Sequence, residues 1–309
     1  MPQRNGLALA PQPATGPRTR VLRLRAHRCD ELAICIAQPM PASPNQQYVL
    51  ATGQAGAERL ALLHTTYGAS TEALLVELGL KEGMRAVDLG CGTGTVSRWM
   101  VQRVGHSGEV VGVDLSQAQI EVARAQAARQ NLGQVQFRQA SCYDTDLPRE
   151  HFDFAYCRFL LCHIGEPERA LREMRALVSP GGVVVCEDVD LASFACDPES
   201  AGLLRMRDLM IALGRSRGVD YCLGPRLHRI FRKVGFSRPV VQMQQPVYDS
   251  GEAKRFWEYT FLEAAPAMIE AGLTDAAEVE DLAKQMAEVG LDSSTVVEQA
   301  RKVQVWAQK

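Results

Sequence analysis

The spacing of apolar residues changes along the chain, and this change predicts its secondary structure. Leu60, Leu63 and Tyr67 lie at helical spacing, and Ser70 is placed to start a second helix. From residue 85 onward, short apolar runs typical of buried strands alternate with helical segments. The runs are 85–89, 110–113, 135–138, 152–157 and 183–187. This alternation predicts an α/β fold with a doubly wound, mostly parallel sheet.

The last third of the chain adds two strands and an insertion. Residues 239–247 and 303–307 alternate like strands and bring the predicted sheet to seven, while residues 252–301 are mostly helical in pattern. Such an insertion at the top of a sheet is well placed to cover a substrate. Its aromatic residues either line an apolar pocket or belong to the core. They are Phe256, Trp257, Tyr259 and Phe261.

The chain divides into four predicted regions. These are a poorly ordered basic leader (1–43), a core with N-terminal lid helices (44–248), a helical lid insertion (249–301) and the last strand of the core sheet (302–309). The leader is rich in arginine and proline and has no acidic residue before Asp30. A transit peptide, a basic arm and an early start codon are its alternatives.

Composition narrows the class of protein. The 309 residues carry a formal net charge of −2, so the chain as a whole does not attract nucleic acid or membrane surfaces. No apolar run approaches the ~20 residues that span a bilayer. The nine cysteines are scattered through apolar segments, which is typical of reduced thiols. We therefore expect a cytoplasmic protein whose partner is neither nucleic acid nor membrane.

A glycine loop follows the first predicted strand, Gly90-Cys91-Gly92-Thr93-Gly94. Ligands of doubly wound sheets bind at this end of the strands. The third glycine of a dinucleotide fingerprint is replaced by Thr95, and no Gly-Lys-Ser/Thr of a P-loop follows. Asp88, expected to be unpaired at the mouth of the loop, would repel a pyrophosphate. The loop therefore predicts a ligand other than a phosphate.

The second predicted strand ends at Asp114, 26 residues after Asp88. An acidic residue at this place accepts hydrogen bonds from a ribose diol in nucleoside-binding α/β folds. Leu115 next to it either supplies an apolar face for a purine or packs in the core. Ser116 and Gln119 have the spacing of a capping box, which predicts the start of a helix.

Together these segments resemble the class I S-adenosylmethionine-dependent methyltransferases, in the small-molecule branch of the UbiE-like and phosphoethanolamine enzymes. The matching segments are 87–94, 111–116, 152–153, 158–163, 166–167 and 179–182. The resemblance implies a Rossmann-like fold, S-adenosyl-L-methionine as the cofactor, a small-molecule acceptor and no resident metal.

The resemblance also assigns cofactor roles to residues. Gly90, Cys91, Gly92 and Gly94 match the loop that passes the cofactor, Asp88 the residue near its amino group, and Asp114 the ribose ligand. Ser141-Cys142 stands where relatives have an Asp-Ala pair that reads adenine, so this contact is weaker or rerouted, with Asp144 as a candidate substitute. Cys157 and Arg158 stand where the family makes backbone contacts to the amino-acid end.

On the acceptor side, His163 is the candidate base, because histidine can be tuned near neutrality. Related enzymes pair such a histidine with a lid tyrosine, and Tyr48 occupies a comparable place. The alternative is that His163 caps a helix and Tyr48 packs on the lid. A cluster of acids after the fifth strand suits a cationic amine or consists of ordinary strand-end carboxylates, and the second is favoured. The cluster is Glu187, Asp188 and Asp190.

The predicted function is methyl transfer to an O, N or S atom of a small molecule by in-line displacement. A non-catalytic cofactor-binding protein of the same fold is one alternative, and a nicotinamide-dependent oxidoreductase is another. Arsenic methylation is disfavoured, because the sequence shows no tight cluster among Cys142, Cys157, Cys162 and Cys186. The sequence does not identify the acceptor or the oligomeric state.

Overall fold

The valine-rich runs form the strands of a seven-stranded sheet, in a computed structural model that describes residues 49–309. The predicted leader and Tyr48 lie outside the described residues. The described residues form ten strands, of which β6, β8 and β9 belong to a second, smaller sheet. The ten strands are β1 (Arg85–Leu89), β2 (Glu109–Asp114), β3 (Val135–Gln139), β4 (Phe152–Arg158), β5 (Val178–Asp190), β6 (Ala195–Asp197), β7 (Val240–Gln244), β8 (Val247–Tyr248), β9 (Val296–Glu298) and β10 (Arg301–Gln308).

The order of the strands in this sheet is β3-β2-β1-β4-β5-β10-β7. β1 pairs in parallel with β2 and β4, β2 with β3, and β4 with β5, whereas β10 runs antiparallel to both β5 and β7. The strand order reverses beside β1, so the carboxyl ends of β1, β2 and β4 meet where such sheets bind ligands. The predicted doubly wound, mostly parallel seven-stranded sheet is confirmed.

Helices cover both faces of this sheet. They are α1 (Gln54–Glu77), α2 (Thr95–Val104), α3 (Gln117–Arg129), α4 (Pro167–Leu177), α5 (Ala201–Ser216), α6 (Leu227–Val234), α7 (Phe256–Glu270) and α8 (Ala276–Leu291). Neighbouring residues of one strand contribute to different cores, since side chains alternate across a sheet: Val87 and Leu89 join one buried cluster and Ala86 another. None of the helices in the described range has the length and apolar character needed to cross a membrane.

The segment predicted to hold two N-terminal lid helices forms a single helix, α1. The expectation that Ser70 starts a second helix is wrong, because its hydroxyl donates to the carbonyl of Tyr67 at 3.0 Å from within α1. The helix continues because its buried face continues, with Tyr67, Leu74 and Leu75 at most 1% exposed. Ser116, in contrast, caps α3 as predicted and accepts from the amide of Gln119.

Residues 252–301 are mostly helical, as expected, but they also contain one short strand, β9. β8 and β9 pair antiparallel, and β6 joins the other side of β9 to complete a three-stranded sheet. α7 and α8 pack against each other and against α5, and α7 also contacts α1. β10 begins at Arg301, one residue before the predicted boundary. α1, at the start of the described residues, therefore packs against α7, which lies shortly before the last strand.

Candidate active site

The glycine loop connects β1 to α2 through left-handed backbone. Gly90, Gly92 and Gly94 have φ values of +70°, +53° and +73°. A Cβ at Gly90 would lie 2.9 Å from the Leu160 side chain, and one at Gly94 would lie 2.5 Å from the Phe137 ring. Both positions therefore need glycine for space as well as for conformation.

Two backbone amides close the loop against the neighbouring strand. The amides of Gly90 and Cys91 both donate to the carbonyl of Val113, at 2.7 and 3.0 Å. Burial, with Asp88 and Asp114 nearby, raises the pKa of the Cys91 thiol well above its ordinary range. The Cys91 side chain is thus a neutral packing group, and the loop presents mainly its backbone.

Asp88 lies beneath the loop and has a partner, so the expectation of an unpaired carboxylate is wrong. Its side chain is 2% exposed, and Oδ2 accepts a hydrogen bond from the Ser97 hydroxyl at 2.6 Å. Burial raises the pKa of Asp88 to about 7, although the Ser97 hydrogen bond and the charge of Arg158 oppose this rise. Ser97 meets Asp88 because α2 begins at Thr95 and turns back over the strand end.

Asp114 joins the loop to the end of β2. Its Oδ2 accepts from the amide of Gly92 and its Oδ1 from the amide of Ser116, both at 2.9 Å. Burial raises the pKa of Asp114, and these backbone hydrogen bonds lower it. Leu115 is 71% exposed, so the alternative that it packs in the core is wrong. An apolar face thus stands free beside the carboxylate, as a purine site requires.

The Ser141-Cys142 pair forms a local turn after β3. The hydroxyl of Ser141 accepts from the amide of Tyr143 at 3.2 Å, and the amide of Asp144 donates to the Ser141 carbonyl at 3.2 Å. Burial raises the pKa of the Cys142 thiol to about 11. The Asp144 side chain is exposed. The Ser141 side chain is therefore occupied by its own turn.

β4 delivers Cys157 and Arg158 to the same edge of the sheet. Cys157 is fully buried opposite Cys186 of β5, and this neighbour together with burial raises the pKa of its thiol. The Cys157 side chain is therefore a neutral group packed inside the sheet. The guanidinium of Arg158 donates to the hydroxyl of Thr71 on α1 at 3.3 Å, which links α1 to this edge.

His163 ends a single helical turn, Leu161–His163, that follows β4. Asp188 holds this turn, because its Oδ2 accepts the amide of Cys162 at 3.0 Å. The His163 ring packs edge-on against Tyr221 with centroids 5.2 Å apart. Burial and the charge of Arg59 lower the pKa of His163 to about 3. The expectation of a near-neutral pKa is wrong, and the imidazole is neutral at physiological pH.

A cavity of about 60 Å³ lies against His163. Its wall combines α1, the turn after β4, α5 and α7. The lining residues are Leu50, Arg59, Leu63, Tyr67, Phe159, Cys162, His163, Val189, Met210, Tyr221, Phe256, Trp257 and Thr260. Sequence reasoning missed Arg59, although an arginine beside Leu60 and Leu63 on an otherwise apolar helix face is a readable signal. Phe256 and Trp257 line the cavity, whereas Phe261 is core.

The glycine loop and the cavity are neighbours. Leu160, which touches the loop at Gly90, directly precedes the turn that carries His163. Leu60 is the nearest side chain to the Cβ direction of Gly92, at 3.5 Å, and it lies next to Arg59 on α1. The loop therefore lies next to the segments of α1 and of the turn after β4 that contribute to the cavity wall.

Residues 86–182 match the sequence model of a protein family that is described as a methyltransferase domain. This range contains the glycine loop, Asp114 and His163, and the sheet order agrees with the class I fold. Residues 86–182 thus match a methyltransferase domain, and the sheet around them has the class I methyltransferase fold.

Curated relatives of this methyltransferase domain cover part of the chain. An uncharacterized 37.1 kDa protein in transposon TN4556 of Streptomyces fradiae is 30% identical over 186 residues, which are 58% of this chain and 51% of that protein. The ubiquinone biosynthesis O-methyltransferase of Alkalilimnicola ehrlichii is 38% identical over 111 residues, or 35% and 42% of the two chains. The chain spans about half the length of the curated relatives it matches.

Solved structures share the fold. The YcgJ protein of Bacillus subtilis is 16% identical with a TM-score of 0.52, over 78% of this chain and 98% of that one. The [4+2]-cyclase SpnF is 19% identical with a TM-score of 0.52, over 86% and 97%. At these identities the similarity concerns the fold alone.

The acids at the end of β5, which are Glu187, Asp188 and Asp190, lie inside the protein. Glu187 is 0% exposed and pairs with the equally buried Lys302 of β10 at 2.9 Å. Its Oε2 also accepts the hydroxyls of Thr71 and Tyr156, at 2.5 and 2.6 Å. Burial opposes ionisation of Glu187, yet the charge of Lys302 lowers its pKa below the ordinary value. Glu187 is therefore structural and does not offer its own carboxylate to a cationic amine.

Proposed function

We propose that this chain is an enzyme that transfers a methyl group from S-adenosyl-L-methionine to an O, N or S atom of a small molecule. The observation that carries the proposal is that two features lie next to each other. One is the glycine loop, which is hydrogen-bonded to Asp114, and the other is a mostly apolar cavity that is lined by His163. The methyltransferase domain and the ubiquinone O-methyltransferase relative support the same reaction class.

The residues present fit the cofactor. A Cβ built on Gly92 would lie 3.5 Å from the Leu60 side chain, in ordinary van der Waals contact, so the backbone of the loop is not blocked at this point. Asp88 offers a carboxylate to an ammonium group, Asp114 offers acceptors to a ribose diol, and exposed Leu115 offers an apolar face to a purine. The bound cofactor supplies a methyl group activated by a sulfonium. Cys157 and Arg158 complete this side of the site with backbone contacts.

Chemistry on the acceptor side needs alignment more than strong acid–base catalysis. A neutral His163 accepts a hydrogen bond from the attacking group and takes its proton as the methyl group transfers. An imidazole with a pKa of about 3 is a weak base, so the acceptor must itself be acidic or already deprotonated. Tyr48 is proposed to assist from the lid.

The proposal also covers the surroundings of the reaction. The insertion at residues 249–301 acts as a lid, supported by the contribution of Phe256, Trp257 and Thr260 to the cavity wall. The described cysteines are free thiols, which supports a reducing cytoplasmic compartment.

Calorimetric titration with S-adenosylmethionine, S-adenosylhomocysteine and NADH tests the cofactor directly. We expect both adenosyl ligands to bind and NADH to show no binding. Asp114→Ala removes the ribose acceptors and the tether of Gly92, so affinity should fall about a hundredfold. His163→Ala should keep that affinity and slow turnover. Binding of NADH alone would overturn the proposal.

A further inference from the structure

A second cavity borders the turn that carries His163. It has a volume of about 270 Å³ and is bounded by this turn, the start of α4, the segment after α5, and α6. Its floor is apolar and consists of side chains at most 5% exposed, which are Leu161, Val219, Leu223 and Ile230. An apolar cavity of ~150 Å³ holds benzene, so this volume accommodates a ring that carries one further small group.

Three cations lie along the rim of this second cavity. Arg226, Arg229 and Lys233 follow one another at spacings of three and four residues, which places them on one stripe of α6 and the turn before it. Arg226 is paired with Asp220, and Lys233 donates to Oε1 of Glu168 at 3.3 Å. The two carboxylates among the described residues of the wall are thus each matched by one cation.

Arg229 is the cation that remains. It makes no hydrogen bond and no ion pair with any residue that the structure describes, and it is exposed at the rim. Both oxygens of Asp220 are already engaged, because Oδ1 accepts the amide of Cys222 at 2.9 Å and Oδ2 pairs with Arg226. The described wall therefore carries one unmatched positive charge, at Arg229.

The amino end of α4 adds to this positive potential. α4 begins at Pro167, which has no amide hydrogen, and no side-chain hydrogen bond caps the helix. Pro167 and Glu168 both line the second cavity. The first amides of a helix lack intrahelical partners and carry the positive end of its dipole. An anion in the cavity is therefore favoured by this helix end as well as by Arg229.

From this arrangement we propose that the second cavity binds a small organic anion, a carboxylate or phosphate ester with an apolar body, and that Arg229 pairs with its charged group. A guanidinium offers two parallel donors to either group. The apolar body then lies on Leu161 and Ile230. This ligand is distinct from the acceptor and the cofactor, because the described residues of this wall include none that lines the cavity beside His163 and none of the glycine loop.

The two cavities lie against the same two segments of chain. Leu161 lines the second cavity, whereas Cys162 and His163 line the other; Asp220 lines the second, and Tyr221 the other. The amide of Asp220 donates to the carbonyl of Cys162 at 3.2 Å, which joins the two segments. A bound anion therefore stabilises the turn that carries His163, and slower amide exchange in both segments reports its position.

Phenyl phosphate tests the site, with inorganic phosphate and benzyl alcohol as probes that keep only its charge or only its ring. Each is titrated calorimetrically into the full chain. We expect phenyl phosphate to bind at least about tenfold more tightly than either of the others. Arg229→Gln should weaken its binding about tenfold or more, because a hydrogen-bonded charge contact is lost, and Arg229→Lys should restore part of it.

Hydrogen exchange of the unmodified protein locates the bound probe. Phenyl phosphate should slow exchange at residues 161–164 and 218–223. Slowing confined to the glycine loop at residues 88–94 would overturn the inference, and so would absence of binding at millimolar concentration. This readout decides the question even where a variant fails to fold.

Arg103→Gln is the matched control. Arg103 is likewise an exposed helical arginine with no hydrogen bond or ion pair to the described part of the chain, and it lies in the last turn of α2. Its substitution should leave all three affinities unchanged, and an equal loss in both variants would contradict a specific role of Arg229. The inference goes beyond the proposed function and does not depend on it, since these probes report on the second cavity whether or not S-adenosylmethionine binds.

Discussion

The buried carboxyl group of Asp88 makes stability and cofactor binding respond in opposite directions to one substitution. Burial raises the pKa of Asp88 from its ordinary 3.8 to about 7 in the folded protein. Asp88→Asn keeps the size of the side chain and an acceptor for the Ser97 hydroxyl, but it cannot ionise. The variant therefore measures the free-energy cost of holding a charge at this position.

The sign follows from proton linkage. Between about pH 4 and about pH 7 the folded state holds a proton on Asp88 that the unfolded chain has lost, so the free energy of unfolding falls as the pH rises. Above about pH 7 the cost is complete, and the two pKa values correspond to ~4 kcal/mol. Asp88→Asn should match the wild-type stability near pH 4 and exceed it by up to about 4 kcal/mol at pH 8.

Urea denaturation across this pH range measures the difference between wild type and variant, so other titrating groups cancel. Asp281→Asn makes the same change on an exposed residue of α8 and should show no such trend. Calorimetry should show weaker binding of S-adenosylmethionine to Asp88→Asn, because an amide does not neutralise an ammonium group. A stability difference that stays constant with pH would refute the burial argument, and unchanged binding would refute the cofactor role.

Three further substitutions test other parts of the structure. Gly94→Ala places a Cβ 2.5 Å from the Phe137 ring at a φ of +73°, so thermal unfolding should show a loss of about 2 kcal/mol or more. Leu115→Ser should leave the unfolding free energy within about 0.5 kcal/mol, because this side chain is 71% exposed, but weaken binding of S-adenosylhomocysteine. Lys302→Met leaves the buried Glu187 carboxylate without its cationic partner. Urea denaturation should therefore show a free energy of unfolding that is about 3 to 5 kcal/mol lower. Adding Glu187→Gln should recover much of this loss, and no recovery would contradict a charge-based cause.

The sheet and the loop that positions the candidate site could be predicted from local sequence signals. Apolar runs of strand length, the alternation with helices, and glycines at 90, 92 and 94 all act within a few residues. The capping of α3 by Ser116 is of the same kind. Asp114 could be placed at the loop because the ends of neighbouring parallel strands meet at one edge of a sheet.

Contacts between residues far apart in the sequence were decided by packing. Ser97 pairs with Asp88 because α2 turns back over β1, and Lys302 reaches Glu187 across 115 residues because β10 inserts beside β5. Arg59 and Trp257 share one cavity only because α7 packs on α1.

The sequence by itself therefore determined the α/β class, the seven strands and the end of the sheet where a ligand binds, since these depend on hydrophobic period and on glycine. Only the tertiary structure decided the partner of Asp88, the lowered pKa of His163 and the set of residues that line the cavity beside it. Those properties depend on burial and on the distances between charges, and these quantities exist only once distant segments have packed together.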